Sequence, residues 1–174
     1  MPILREHLET QLPIERAFDF VADFANASIW DPGVASSEAA GDASPHVGSR
    51  YRLGVRMAGR VRPMGYRITS FERPNRVVLT GEGSGVDAVD DIRFERTADG
   101  GTAIDYTADI RLRGLLRLGQ PFAGGSFAAI ARNARDGMQR TLDALAGAAG
   151  ANVAGIAPEA ATADLIAAAA EMER

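Results

Sequence analysis

The sequence predicts an α+β fold in which an antiparallel sheet packs against one long C-terminal helix. Two changes of hydrophobic period indicate this arrangement: the period is helical over residues 14–29, close to two over 34–112, and helical again over 127–145. Strands joined by short turns are expected to be antiparallel neighbours. A chain of 174 residues is long enough to form one domain with its own core.

The N-terminal part is predicted to form a strand followed by two short helices. Residues 3–10 alternate apolar and charged side chains, and Leu12-Pro13 then suits the first turn of a helix. The apolar stripe of this helix consists of Ile14, Ala17, Phe18 and Val21. A second helical piece over 24–29 must end near Trp30-Asp31-Pro32-Gly33, because the residue before a proline disfavours the helical conformation.

The middle of the chain is predicted to be a meander of strands with one apolar face. Tyr51, Leu53, Val55 and Met57 alternate with residues 50, 52, 54 and 56, of which three are arginines. Further strands are expected at 64–69, 77–80, 88–95 and 102–112. We interpret residues 81–85 as a glycine-containing hairpin tip rather than a phosphate loop, since no helix with a lysine follows them.

The C-terminal part is predicted to be an amphipathic helix with an appendage. The helical stripe consists of Phe127, Ile130, Ala131, Ala134, Met138, Leu142 and Leu145. We therefore place the folded domain at 1–146, a Gly/Ala-rich linker at 147–157 and an alanine-rich helix at 158–174. This last helix either docks on the body or on a second subunit, as in a homodimer, or stays undocked.

Composition excludes several classes of function. The sequence contains no cysteine, and its net charge of −4 opposes a surface for nucleic acid. His7 and His46 do not fall in a metal-ligand spacing, so we expect no metal, and no motif indicates a cofactor. No stretch approaches the roughly twenty apolar residues of a membrane span. We expect a soluble, cytoplasmic, bacterial protein. All nineteen basic residues are arginine, which we interpret as the result of a GC-rich coding sequence rather than as a functional signal.

The order of these elements resembles the helix-grip architecture of the SRPBCC superfamily, which includes the START-like polyketide cyclase/dehydrase and lipid-transport family. The resemblance covers residues 2–145 and depends on three segments: the opening at 12–23, the turn at 30–34, and the strand that follows Gly101-Thr102. It implies a curved antiparallel sheet of about seven strands wrapped around the long helix, with a ligand cavity between them. Members of this superfamily include lipid carriers, quinone-binding proteins, ring-closing enzymes and hormone receptors.

Strand parity predicts which side chains face that cavity. Asp90 shares the inward parity of its strand with Ile92, and the hairpin turn near Asp99-Gly100 places Ile92 opposite Tyr106. Asp90 then lies diagonal to Tyr106. A buried carboxylate needs a hydrogen-bond partner or acquires a raised pKa, so Asp90 is either a hydrated or hydrogen-bonded structural group or the one candidate for proton transfer.

The candidate ligand-binding residues follow from parity and from the stripe of the long helix. Trp30 either covers the cavity entrance or anchors the short helices, and residues 114–123 are expected to contribute to a gate. The full candidate set is Trp30, Met64, Tyr66, Asp90, Ile92, Phe94, Tyr106, Ala108, Phe122, Phe127, Ile130 and Ala134.

Three functions stay open on the sequence. The preferred one is binding or carriage of a hydrophobic small molecule such as a lipid, quinone or polyketide, because the inward positions are mainly aliphatic or aromatic. The second is a polyketide cyclase or dehydratase that uses Asp90 with Tyr66 or Tyr106. The third is a protein-interaction module, which a cavity filled by the protein's own side chains would favour.

Overall fold

A computed structural model describes residues 3–41, 44–57, 59–114 and 124–154, with side chains in the last helix described over 129–149. The strands are β1 (Ile3–Thr10), β2 (Val34–Ala39), β3 (Arg50–Met57), β4 (Arg60–Glu72), β5 (Arg76–Gly83), β6 (Val86–Arg96) and β7 (Thr102–Leu112). The helices are α1 (Ile14–Ala22), α2 (Ala27–Trp30) and α3 (Gly124–Ala154), and a 3-10 turn over Phe24–Asn26 connects α1 to α2.

The strands form one curled antiparallel sheet in the order β1-β7-β6-β5-β4-β3-β2. Strands β2 to β7 form a meander in which each strand pairs with its neighbours in sequence, as short turns require. Strand β1 pairs with β7 over its whole length, for example Leu8 with Ile104. The predicted α+β helix-grip class is therefore confirmed, including the two short helices after the first strand.

The apolar face of the sheet is concave and holds the core. On β3, Tyr51 and Leu53 are buried while Arg50 and Arg52 are exposed, which is the predicted alternation. Helix α1 covers one end of this face through Phe18, whose ring contacts the rings of Phe71 and Phe94 edge to face, with centroids 5.2 and 5.1 Å apart. This end of the sheet is filled by side chains.

Helix α3 crosses the other end of the concave face and packs on the edge strand β1 and on helix α2. On one side, Arg135 donates through Nε to the carbonyl oxygen of His7 at 2.9 Å, and Gln139 donates to the carbonyl of Glu9 at 2.6 Å. These carbonyls belong to the edge strand β1, so α3 satisfies backbone groups that the sheet leaves unpaired. Among the described residues, no helix is both long and apolar enough to cross a membrane.

On the other side, α3 packs closely on the end of α2. A Cβ atom on Gly137 would lie 2.2 Å from the carbonyl oxygen of Trp30 and 2.9 Å from Cδ of Pro32. Only a glycine lets the two backbones approach this closely. Met138 and Leu142, on the apolar stripe of α3, point into the core and are almost fully buried.

Two expectations about element ends differ from the structure. Helix α3 continues through residues 147–154, where the linker was predicted to begin, because the high helix propensity of its alanines outweighs the two glycines. Strand β5 includes Gly81 and Gly83, so the hairpin tip is shorter than predicted. A Cβ on Gly81 would lie 2.6 Å from the ring of Tyr66, so this glycine makes room for an aromatic ring on β4.

Replacing the contact glycine of α3 is expected to destabilise the fold. Gly137→Ala adds a methyl group against backbone, and we expect a loss of about 1–3 kcal/mol in the free energy of unfolding, measured by urea denaturation. Gly147→Ala in the same helix is the matched control, since nothing lies within 4 Å of its added Cβ. The control should gain up to about 1 kcal/mol from helix propensity. Equal effects of the two substitutions would contradict this account of how α3 is seated.

Candidate functional site

A cavity of about 200 Å³ lies between the concave face of the sheet and the first half of α3. Its walls are mainly apolar, because inward positions near the ends of β3, β4, β6 and β7 carry aliphatic side chains. Representative wall residues are Met64, Val86, Ala88, Ala108 and Ile110. Helix α3 contributes Ile130, Ala131, Ala134 and Met138 to the opposite wall.

One carboxylate, that of Asp90, lies in this apolar wall. The residue is 4 % exposed, and its Oδ1 accepts a hydrogen bond of 2.9 Å from the hydroxyl of Tyr106. The register is the predicted one, with Ile92 opposite Tyr106 and Asp90 opposite Ala108. Asp90 is therefore a buried, tyrosine-bonded carboxylate and not a hydrated group at the cavity mouth.

The surroundings of Asp90 favour its protonated form. Burial raises its pKa to about 7, and the nearby charge of Asp31 acts in the same direction, while the hydrogen bond from Tyr106 opposes the rise. Burial also raises the pKa of Tyr66 and of Tyr106 well above 10, so both hydroxyls keep their protons near neutral pH. Asp90 can therefore accept or donate a proton near neutrality, beside two tyrosine hydroxyls that stay protonated.

A second acid, Asp31, lines the same cavity and was missed by the sequence analysis. It follows α2 directly, and its Oδ1 accepts a hydrogen bond of 2.7 Å from the backbone N–H of Gly33. Burial raises its pKa, while the Gly33 N–H and the charge of Arg56 lower it. The Asp-Pro-Gly pattern was interpreted as a turn, and that turn is what directs the carboxylate inward.

Trp30 has one of the two roles that the sequence left open, since it anchors the short helices, and a role in covering the cavity entrance stays a prediction. It is 3 % exposed, and its ring packs on Phe24 and on Tyr106 with centroids 6.0 and 6.3 Å apart. It thus anchors the short helices against the sheet and also forms part of the cavity wall. Its Nε1 has no hydrogen-bond partner within the part of the chain that the structure describes.

A charged pair at the cavity wall was also missed. Glu6 lies on the inward parity of β1 together with Leu4 and Leu8, and its Oε2 is 3.9 Å from Nε of Arg135. Arg135 lies off the predicted apolar stripe of the helix, but α3 lies along the edge of β1, which brings this flank of the helix against the sheet. Across the described ranges, no three His, Asp or Glu side chains are grouped so as to hold a metal ion.

The structure separates the predicted site residues into three groups. Eight of them line the cavity: Trp30, Met64, Tyr66, Asp90, Tyr106, Ala108, Ile130 and Ala134. Ile92 and Phe94 do not, although they face inward, because they lie further along β6 where α1 and Phe18 cover the sheet. Phe122 lies outside the described residues, and the side chain of Phe127 does too. Contact with a ligand stays a prediction for all of them.

The raised pKa of Asp90 predicts how the free energy of unfolding depends on pH. Its folded value of about 7 lies above the ordinary value of 3.8, so the folded state binds this proton more tightly, and stability is lost as the pH rises from about 4 to about 7. Asp90→Asn removes the effect, so the variant should gain on the order of 2–4 kcal/mol relative to the wild type between pH 4 and pH 8.

The measurement is urea denaturation of both proteins across this pH range. Asp87→Asn is the matched control, because Asp87 lies on the same strand but faces outward, beside Arg113. We expect the control to show no comparable gain. A wild-type and an Asp90→Asn curve that stay parallel from pH 4 to pH 8 would mean that Asp90 is not dry.

Comparisons with known proteins agree with this fold. The chain resembles, in structure, the Zhui aromatase/cyclase from Streptomyces sp. R1128, with a TM-score of 0.66, 15% identity, and coverage of 84% of this chain and 93% of that one. A START superfamily protein from Mycobacterium smegmatis has a TM-score of 0.56 and 14% identity, covering 75% of this chain and 96% of its own. A conserved protein from Geobacillus kaustophilus has a TM-score of 0.61 and 17% identity, covering 81% and 95%.

At these identities the structural likeness shows the fold alone, and no curated protein matches the sequence. The sequence itself matches a family profile over residues 1–150, which is most of the chain. The profile is described as polyketide cyclase / dehydrase and lipid transport. The chain therefore belongs to the polyketide cyclase/dehydrase and lipid-transport family, as its sequence resemblance implied.

Proposed function

We propose that this protein binds a small, mainly apolar molecule in the cavity between the sheet and α3. The observation that carries the proposal is a mainly apolar chamber of about 200 Å³ that the side chains of the described residues leave unfilled. A cavity of about 150 Å³ is enough to hold benzene, so this one suits one or two fused rings or a short chain. An unfilled chamber also argues against the interaction-module hypothesis.

The physical basis of binding is burial of apolar surface, with orientation supplied by a few polar groups. One group of polar side chains in the cavity consists of Asp90, Tyr66 and Tyr106, with Trp30 beside them, and the Glu6–Arg135 pair is a second. A ligand would place its hydrocarbon part among the aliphatic walls and its polar part at the first of these groups. The cytoplasmic location and a homodimer through the C-terminal tail stay proposals from the sequence.

Native mass spectrometry of protein purified from its own host, followed by solvent extraction, tests the proposal directly. We expect a stoichiometric apolar molecule that leaves the protein chemically unchanged. Recovery of protein without any bound molecule, together with failure to bind small aromatic probes in solution, would contradict it.

Filling the cavity is expected to abolish binding without unfolding the protein. Ala108→Leu places a larger side chain into the chamber from the middle of β7, so the dissociation constant for naphthalene, measured by equilibrium dialysis, should rise at least about tenfold. Ala103→Leu is the matched control, since Ala103 lies on the outward parity of the same strand. Equal affinities of the two variants would place the probe outside this cavity.

A second candidate function, ring closure or dehydration of a poly-carbonyl substrate, is favoured by one observation. Asp90 is buried, has a pKa near 7, and keeps Oδ2 without a hydrogen-bond partner among the described residues. Its carboxylate would remove a proton from carbon between two carbonyls. The resulting carbanion would form a carbon–carbon bond to a further carbonyl carbon, and the new alkoxide would take the proton back from Asp90.

This enzymatic alternative predicts that Asp90→Asn lowers kcat on a poly-β-ketone substrate by about 10²–10⁴-fold. The rate of the wild type should rise with pH through a pKa close to 7, because the unprotonated carboxylate is the base. Turnover assays across pH 5–9 measure both effects. A variant that binds the substrate and turns it over at the wild-type rate would leave the carrier function as the single proposal.

A further inference from the structure

We propose that the ligand of this cavity carries a hydroxyl group that accepts a hydrogen bond from Nε1 of Trp30 and donates one to Oδ2 of Asp90. The inference deepens the proposed function and rests on it. It follows from two buried polar atoms of the cavity wall and from the different hydrogen-bonding capacities of an indole and a carboxylate.

Both atoms are buried and unpartnered in the described part of the chain. Trp30 is 3 % exposed and Asp90 is 4 % exposed, and both residues line the cavity. Nε1 of the first and Oδ2 of the second form no hydrogen bond with described residues, although Oδ1 of the same carboxylate is held by Tyr106. A buried polar group without a partner typically costs about 1–3 kcal/mol, so native proteins seldom leave two of them at one wall without a use.

Tyr106 brings the two atoms to the same wall. Its ring contacts the indole of Trp30, with centroids 6.3 Å apart, and its hydroxyl binds the carboxylate of Asp90 at 2.9 Å. Trp30 and Asp90 therefore both contact the same tyrosine side chain, and both line the same cavity.

The chemistry of the two atoms selects the group. An indole N–H can only donate, and an ionised carboxylate oxygen can only accept. A hydroxyl satisfies both with one oxygen atom, whereas a carbonyl or an ether satisfies only the indole and a hydrocarbon satisfies neither. Most of the other wall residues are apolar, although Glu6, Asp31 and Arg135 also line the cavity, so the ligand class is a phenol, enol or alcohol on a small hydrocarbon frame.

Three probes of matched frame test the inference: naphthalene, 2-methoxynaphthalene and 2-naphthol. Equilibrium dialysis gives the dissociation constant of each for the wild type at pH 8.5, above the pKa of about 7 of Asp90, so that its carboxylate is ionised and can only accept. We expect 2-naphthol to bind at least about tenfold more tightly than naphthalene, as two added hydrogen bonds allow, and 2-methoxynaphthalene, which can only accept, to fall between them.

Variants of the cavity wall test which protein groups bind the hydroxyl group of the probe. In the double variant Asp90→Leu with Tyr106→Phe the wall becomes apolar, and the advantage of 2-naphthol over naphthalene should fall to less than threefold while naphthalene still binds. Trp30→Phe keeps an aromatic ring but loses the N–H, and should remove the advantage of 2-methoxynaphthalene over naphthalene. Tyr51→Phe is the matched control, because Tyr51 is a buried tyrosine of the same core that does not line this cavity.

The possible failures are distinguishable. If naphthalene and 2-naphthol bind the wild type equally well, or if the advantage of 2-naphthol persists in the double variant, the hydroxyl inference is wrong and the binding function stands. If 2-methoxynaphthalene binds as tightly as 2-naphthol, Asp90 is not an acceptor for the ligand and the inference is again wrong. If none of the three probes binds, the proposed function and the inference that rests on it are both wrong.

Discussion

The structure depends on the close seating of α3 across the concave face of the sheet. The concave face of the sheet alone would be open, and the chamber exists because α3 crosses this face and packs on β1 and on the end of α2. Arg135 and Gln139 donate hydrogen bonds to backbone carbonyls of β1, and Gly137 lies against the backbone of Trp30 at the end of α2. The helix flank between these contacts forms the second wall of the cavity, so the seating of the helix also sets the width of the site.

A second feature, the buried carboxylate of Asp90, costs stability at neutral pH. An amide or an aliphatic side chain of similar size would fill the same position without this cost, because neither of them ionises. Tyr106 binds only one of its oxygens, and Asp31 adds a like charge in the same chamber. A position at which the protein accepts such a cost is more readily explained by use in recognition or proton transfer than by packing.

Much of the fold could be predicted from the sequence because period and turn chemistry act locally. The strand limits at 3–10 and 102–112 and the diagonal contact of Tyr106 with Asp90 follow from alternation and from one hairpin turn. The roles of Asp31 and Arg135 could not be predicted, since they depend on where a short helix and a long helix dock. For the same reason Ile92 and Phe94 were placed in the cavity: parity shows which face a side chain takes and not what covers that face.

The pairing of β1 with β7 has a consequence for the order of folding. Strands β2 to β7 each pair with a strand adjacent in sequence, so their contacts close short loops, whereas β1 must wait for the last strand of the sheet. During synthesis the first strand therefore leaves the ribosome long before its partner exists. Side chains of α3 donate hydrogen bonds to carbonyls of β1, so the helix docks on a strand that itself pairs late. Completion of the sheet and closure of the chamber are therefore expected to be one late event. An emerging chain then has no enclosed site until α3 is free to dock.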